Sequence, residues 1–181
     1  MPRTRPAESR EVKQAAILQA AERRLRGGGY GALSVAGIAR ELNLAQNTIY
    51  WYFPSKDDLF VAVLQRILAE LAAQKPSSRR GQIDQILWFT DQFGELSDLR
   101  GAMNERARES AVVAGFVAEL DTLLSRMLAH ALADAVPPGE VALAVEAFRA
   151  TVEGTFVKGL DRRARRRVLR FALRQLAPAL S

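Results

Sequence analysis

Asn47 to Phe60 reads NTIYWYFPSKDDLF and sets Tyr50, Trp51, Tyr52 and Phe53 side by side ahead of a proline. Phenolic hydroxyls and an indole N–H suit phosphate oxygens, and a tyrosine ring can rest on a thymine methyl. Consecutive residues of a helix cannot all point the same way. Ile49 and Phe53, four apart, share one face, so most of Thr48, Tyr50, Trp51 and Tyr52 must reach outward. A surface that offers two tyrosines and a tryptophan to water awaits a partner. The alternative left open by spacing alone is that the rings form a packed corner.

Other chemistries find little support. The chain has no cysteine, which removes disulfides, thiolate metal sites and cysteine nucleophiles. A single histidine, His130, removes most zinc constellations, and with Asp134 one turn on it reads as a simple pair. There is no nucleophile elbow and no phosphate loop. Glu105 with Glu109 and Glu119 with Asp121 read as solvent-facing charges rather than catalytic carboxylates. No enzyme activity, metal or cofactor is expected. The charge points elsewhere: residues 1–56 hold nine Lys/Arg against four acids, whereas residues 57–181 hold seventeen against sixteen. A basic N-terminal third on a near-neutral remainder is the footprint of a domain that meets a polyanion. Arg3, Arg5 and Arg10 add a basic arm that could follow a phosphate strand or enter the minor groove. No apolar run approaches the roughly 18 residues of a membrane span, so a soluble, cytoplasmic protein is expected.

The elements that position these residues are helical, since 3.6-residue periods recur and alternating patterns are almost absent. A first helix is expected from about Ser9 to Arg26, stopped by Gly27, Gly28 and Gly29. Ser34 can cap a second, short helix whose inward side is Ile38, Ala39 and Leu42. A tight turn at Asn43 and Leu44 leads to a third, from about Gln46 to Phe53. Pro54 ends it, and Ser55 with Asp58 has the spacing that opens the next. Two short helices, a turn of about three residues and a small residue, Ala39, in the bracing helix fit a helix-turn-helix, in which the third helix of the domain lies in the major groove. Further on, a helix is expected over Ile83 to Phe93, a short one after Gly101, a long one from Ala111 to Ala135, one from Val141 to near Gly159, and a last from Asp161 to about Pro178. The expected fold is all-α, with an N-terminal three-helix DNA-binding domain over residues 1–56 and a helical regulatory and dimerisation domain over 57–181.

The stretch LSVAGIARELNLAQNTIYWYFPSKDDLF resembles the DNA-binding segment of the tetracycline-repressor (TetR) family of bacterial transcriptional regulators. Thr48-Ile49-Tyr50, Tyr52-Phe53, Ser55-Lys56-Asp57 and Leu59 fall in register with that family's pattern, as do Ile17-Leu18, Ala20-Ala21 and Gly29-Tyr30 upstream. The resemblance implies that Gln46, Asn47 and Tyr50 face base edges, that Ser34, Thr48, Trp51, Tyr52 and Lys56 hold phosphates, and that Ile49 and Phe53 are core. Residue chemistry agrees: Gln and Asn can pair bidentately with adenine, and Lys56 stands at a helix N-terminus that favours anions. Three positions depart from the pattern. Ala45 replaces a frequent capping serine, Ala36 and Gly37 offer nothing that reads a base, and Asn43 stands where glycine is usual.

For the rest of the chain the resemblance implies a regulatory domain whose last two helices form a four-helix dimer interface. Val145, Phe148, Val152, Phe156, Val168, Phe171 and Ala172 are the candidates for it. The final helix carries Ala164, Val168, Phe171, Ala172 and Ala179 along an apolar stripe. Arginines fill its other sides, as a solvated face with acid contacts from a partner chain. An effector pocket is likewise implied, with Trp88, Phe89, Phe93, Met103, Phe116, Met127 and Phe148 as candidate lining, although plain core is the commoner use of such residues at helical spacing. Few charges fall on the inward stripes, which favours an apolar or aromatic effector. The expected function is that of a homodimeric, sequence-specific DNA-binding repressor that recognises a palindromic operator and is released by a small molecule. The rivals are a constitutive DNA-binding dimer without ligand response, and a small all-α enzyme or binding protein.

Overall fold

In the computed structural model, residues 10–74 and 81–180 are described, apart from the side chains of residues 93, 95, 97 and 98. Arg3 and Arg5 of the expected basic arm lie outside the described residues. The described elements are α-helices: α1 Arg10–Ala32, α2 Val35–Glu41, α3 Gln46–Tyr52, α4 Lys56–Ala73, α5 Gln82–Glu95, α6 Ser97–Ala107, α7 Ala111–Leu132, α8 Val141–Val157 and α9 Arg162–Leu176, with a 3-10 turn over Pro138–Glu140. They fall into two compact units. The first comprises Met1–Glu70 and Asp98–Phe116, the second Leu71–Ser97 and Val117–Ser181.

In the first unit the expected glycine stop appears as a break inside α1. Gly29 takes φ +64°, a conformation that side chains with a Cβ rarely adopt, and one more helical turn follows it. Ser34 caps α2 by accepting from the Gly37 backbone N–H at 3.1 Å, and Val35, Ile38 and Ala39 bury its inner side. Gly37, which offers nothing that reads a base, has a packing task. A Cβ there would stand 2.8 Å from Nη1 of Arg24, whose Nη2 donates to the Gly37 carbonyl at 3.2 Å and to Glu41 at 3.0 Å. The turn into α3 is closed by Asn43 at φ 53°, the left-handed conformation this residue tolerates, and by Leu44 N–H donating to the Ala39 carbonyl at 2.8 Å.

Ala45 then starts α3 with no side-chain cap, as its type dictates. Ala45→Ser, at a backbone already in the extended conformation a cap requires, should raise stability by about 1 kcal/mol. Urea unfolding of the two proteins measures this. An unchanged midpoint would mean that the orphan amides of α3 are already satisfied by solvent. At the next junction Asp58 N–H donates to Ser55 Oγ at 3.1 Å, and Ser55 Oγ donates to Asp58 Oδ2 at 2.6 Å. The core under these helices includes Ile17, Ala21, Leu25, Ile38, Ile49, Leu59 and Phe60, each buried from solvent.

The second unit has its core where α9 lies against α8 and α5: Leu87, Leu132, Val145, Phe148, Leu169 and Leu173 are among its members. One expectation is corrected here. The short helix expected after Gly101 begins at Ser97 and contains Gly101, because a lone exposed glycine costs only about 1 kcal/mol and no cap or proline enforces a start. The inward stripe of α9 is Arg165, Leu169 and Leu173, while Val168 and Phe171 stay exposed. An arginine inside the buried stripe hid it from a reading that sorts residues by polarity.

Candidate nucleic-acid interface

The recognition helix alternates between anchor and display. Ile49 and Phe53 are buried against the first unit's core, whereas Gln46 and Asn47 in the first turn are exposed. Tyr50 is 43% exposed and Trp51 63% exposed, so both rings stand on the outer side; Thr48 and Tyr52 are half-buried. The two possibilities left by spacing are thereby resolved into a buried pair and an outward set. Trp51 meets Tyr52 edge-on at 4.9 Å, and the Arg10 guanidinium sits 4.6 Å over the Trp51 ring. That stack orients the indole and places a cation beside it. No local pattern signals it, since Arg10 and Trp51 are far apart in the chain and belong to different helices.

Ser34 is exposed, and its hydroxyl, although it accepts from Gly37, keeps its own proton to donate. Lys56 is placed differently from a free phosphate hook. Its Nζ rests 4.0 Å over the Tyr30 ring, and burial, then the neighbouring Arg106 charge, holds its ammonium below the usual lysine range.

Beneath it lies a network that spacing did not reveal. Tyr30 donates its hydroxyl to Asp57 Oδ1 at 2.6 Å, and Arg106 of α6 engages the same carboxylate through Nη2 at 2.9 Å and Nε at 3.3 Å. Tyr30 also meets Phe60 edge-on at 5.1 Å. Burial pushes the Asp57 carboxyl up, but the hydrogen bonds from Arg106, Tyr30 and Ser110 outweigh that and leave it below its usual value. Burial and then the bond to Asp57 push the Tyr30 phenol up to about 12.

The signs differ for the two groups. Asp57, lowered in the folded protein, stabilises it above the unfolded carboxylate value of about 4 and loses that contribution as pH falls further. Tyr30, raised, contributes fully below 10.0 and loses its contribution as pH rises toward about 12. Tyr30→Phe should therefore flatten the alkaline limb of the stability profile, and Asp57→Asn the acid limb, both read by urea unfolding across pH. Limbs as steep as in the parent protein would show that the network is not what titrates.

The remaining candidates are dispersed. Of the proposed pocket lining, Met103 and Phe116 belong to the first unit, and Trp88, Phe89, Met127 and Phe148 to the second, while the Phe93 side chain lies outside the described residues. Trp88 and Phe89 are half-buried and edge-on at 5.0 Å, Met127 is exposed, and Phe148 is plain core. Of the proposed interface, Val145 and Phe148 already spend their surface on the chain's own core. Val152, Phe156 and Ala172 are half-buried, and Val168 and Phe171 are exposed. The sequence reading missed Leu143 and Val157, which are 71% and 81% exposed. With Ala150 they mark a seven-residue spacing on α8, a second apolar stripe behind the one through Val145 and Phe148. Three arginines of α9 have acid partners within their own unit: Arg162 and Arg166 reach Asp91 of α5 at 3.2 and 2.5 Å, and Arg170 reaches Asp84 at 2.6 Å.

Residues 17–63 match the family model for bacterial regulatory proteins of the tetR family. No curated protein matches the chain in sequence. Solved structures share its fold. A transcriptional regulator from a Rhodococcus species is 15% identical with a TM-score of 0.72, over 90% of this chain and 94% of that one. A TetR transcriptional regulator from Legionella pneumophila is 22% identical with a TM-score of 0.64, over 94% of this chain and 100% of that one. A protein from Saccharomonospora viridis, described as a transcriptional regulator and solved in complex with choline, is 14% identical with a TM-score of 0.72, over 93% and 98%. Residues 17–63 therefore carry the DNA-binding helix-turn-helix pattern of the tetR family, and the chain as a whole shares the all-helical fold of these regulators.

Proposed function

We propose that the chain acts as a homodimer that reads a near-palindromic operator, represses transcription there, and lets go when a small molecule binds its C-terminal part. The observation that carries this reading is the outward set of α3, with Gln46, Asn47 and Tyr50 on a helix anchored by Ile49 and Phe53. Gln46, Asn47 and Tyr50 would read base edges, while Ser34, Thr48, Trp51, Tyr52 and Lys56 would hold phosphates, with Arg10 added through its stack on Trp51. One such helix reads too few base pairs, and two copies place two of them in successive major grooves. Exposed Leu143, Val157, Val168 and Phe171 on α8 and α9 supply an apolar surface for the second copy.

Residues 1–56 would do the reading and 57–181 the dimerisation and sensing. The choline complex of the Saccharomonospora relative supports a small-molecule occupant, which would act by favouring a separation of the two heads that the operator does not accept. Among the described residues no helix is long and apolar enough to cross a membrane. A DNA-binding role would put the protein in the cytoplasm.

Tyr50→Ala should relax discrimination between operator and random DNA by about 10- to 100-fold, a contact worth roughly 1–3 kcal/mol. Lys56→Ala should instead weaken all sequences alike and flatten the salt slope. Fluorescence-anisotropy titrations on both DNAs separate the two effects, and identical behaviour of the variants and the parent would remove α3 as the reading head.

A further inference from the structure

We propose that Arg106 of α6 is a positioning residue for DNA binding: it occupies Asp57 and so keeps the Lys56 ammonium available to a phosphate. The proposal rests on the reading of Lys56 as a phosphate contact. Lys56 and Asp57 open α4 side by side, and successive helix residues point apart. Tyr30 brings their charged ends to one place. The Lys56 Nζ lies 4.0 Å over its ring, and Asp57 Oδ1 takes its hydroxyl proton at 2.6 Å. An ammonium and a carboxylate that meet on one half-buried tyrosine would neutralise each other unless one of them were already engaged.

Asp57 is the one engaged. Arg106 spans its carboxylate with Nη2 on Oδ2 at 2.9 Å and Nε on Oδ1 at 3.3 Å, and Ser110 adds a further hydrogen bond. That planar fork holds both oxygens at once, which a lysine's point charge cannot do. Arg106 also rests against the Tyr30 ring, its Cζ 5.1 Å from the centroid. One tyrosine thus seats two cations, but only one of them has acid partners, since Arg106 holds Glu109 as well, at 2.5 Å. Among the described residues no carboxylate pairs with Lys56. Burial, then the repulsion of Arg106, outweighs what attraction Asp57 still exerts on it. What Lys56 lacks is an anion, and a DNA phosphate supplies one. Without Arg106, Asp57 would lose its cationic partner, and the nearest replacement is the ammonium on the same tyrosine. Glu109, 66% exposed, would stay in water.

Anisotropy titrations of the full chain on a random DNA duplex, over a range of salt concentrations, test this, because a phosphate contact is blind to sequence. Lys56→Ala sets the reference: it should weaken binding about tenfold and lower the salt slope by about 0.9 per subunit, one phosphate. Arg106→Gln should do nearly the same although Lys56 is intact. Asp57→Asn breaks the same ion pair but removes the competing carboxylate, so it should bind at least as tightly as the parent with an undiminished slope. The double variant Asp57→Asn/Arg106→Gln should likewise recover the parent's affinity and slope. In the Lys56→Ala background Arg106→Gln should add less than about a twofold loss, whereas a general effect of net charge would add in full. Equal losses in Arg106→Gln and Asp57→Asn would make the pair a structural brace and overturn the proposal. A parent-like Arg106→Gln, or its full loss repeated in the Lys56→Ala background, would overturn it too. If Arg106→Gln fails to fold, Asp57→Asn decides alone, and a slope lowered by about one phosphate would overturn the proposal. A Lys56→Ala protein that binds as the parent does would overturn the phosphate reading of Lys56 itself.

Discussion

Replacing Val157 and Phe171 together with aspartate should turn the protein into a folded monomer with operator affinity reduced by two or more orders of magnitude. Both side chains are largely in water in the single chain, Val157 at 81% and Phe171 at 67%, so the change costs the fold of one subunit little. In a dimer built on α8 and α9 the same positions would bring charges into an apolar seam, where unpaired burial is prohibitive. The expected loss exceeds that of any single base contact because it removes a whole half-site and the gain from tethering two heads. Light scattering at several protein concentrations gives the assembly state, and anisotropy on the same samples gives the affinity. A variant that remains dimeric would move the interface away from these stripes. A monomer that binds the operator as tightly as the parent would remove dimerisation from the mechanism.

The second large effect is on the first unit itself. Phe60→Ala should cost about 3–5 kcal/mol, a large part of the roughly 5–15 kcal/mol that holds a domain together. Phe60 is wholly buried and supports the edge of Tyr30, whose hydroxyl fixes Asp57 and through it Arg106. Its removal therefore leaves a cavity and loosens the hydrogen bonds at the start of α4. Trp51→Ala is the useful contrast. At 63% exposure it should change stability by less than about 0.5 kcal/mol yet weaken DNA binding. Urea unfolding of both variants, with anisotropy on Trp51→Ala, checks the pair; a Trp51 variant as unstable as the Phe60 variant would mean that the aromatic cluster is a packed corner after all.

These two residues show what the sequence made legible and what it did not. The break at Gly29, the left-handed Asn43, the caps at Ser34 and Ser55 and the missing cap at Ala45 are local consequences of residue type, and each was readable in place. So was the division of α3 into buried and outward residues, because four-residue spacing fixes it. Contacts between distant segments were not readable. The Arg106–Asp57 pair joins residues 49 positions apart, and the stack of Arg10 on Trp51 joins the first helix to the third. The C-terminal stripes misled for a different reason. Helices α8 and α9 carry apolar residues on two sides, and spacing alone does not say which side the chain keeps for itself. The buried Arg165 ran against polarity altogether, as did Asp91, so the expectation of few inward charges did not hold at this seam.

Sequence-specific DNA binding is decided by one titration: the anisotropy of labelled DNA from upstream of the protein's own coding sequence, against random DNA of equal length, over a range of salt concentrations. Binding to the upstream fragment should be at least about a thousandfold tighter at physiological salt and should weaken with salt in proportion to the phosphates held. Equal affinity for both DNAs at every salt concentration would contradict the claim.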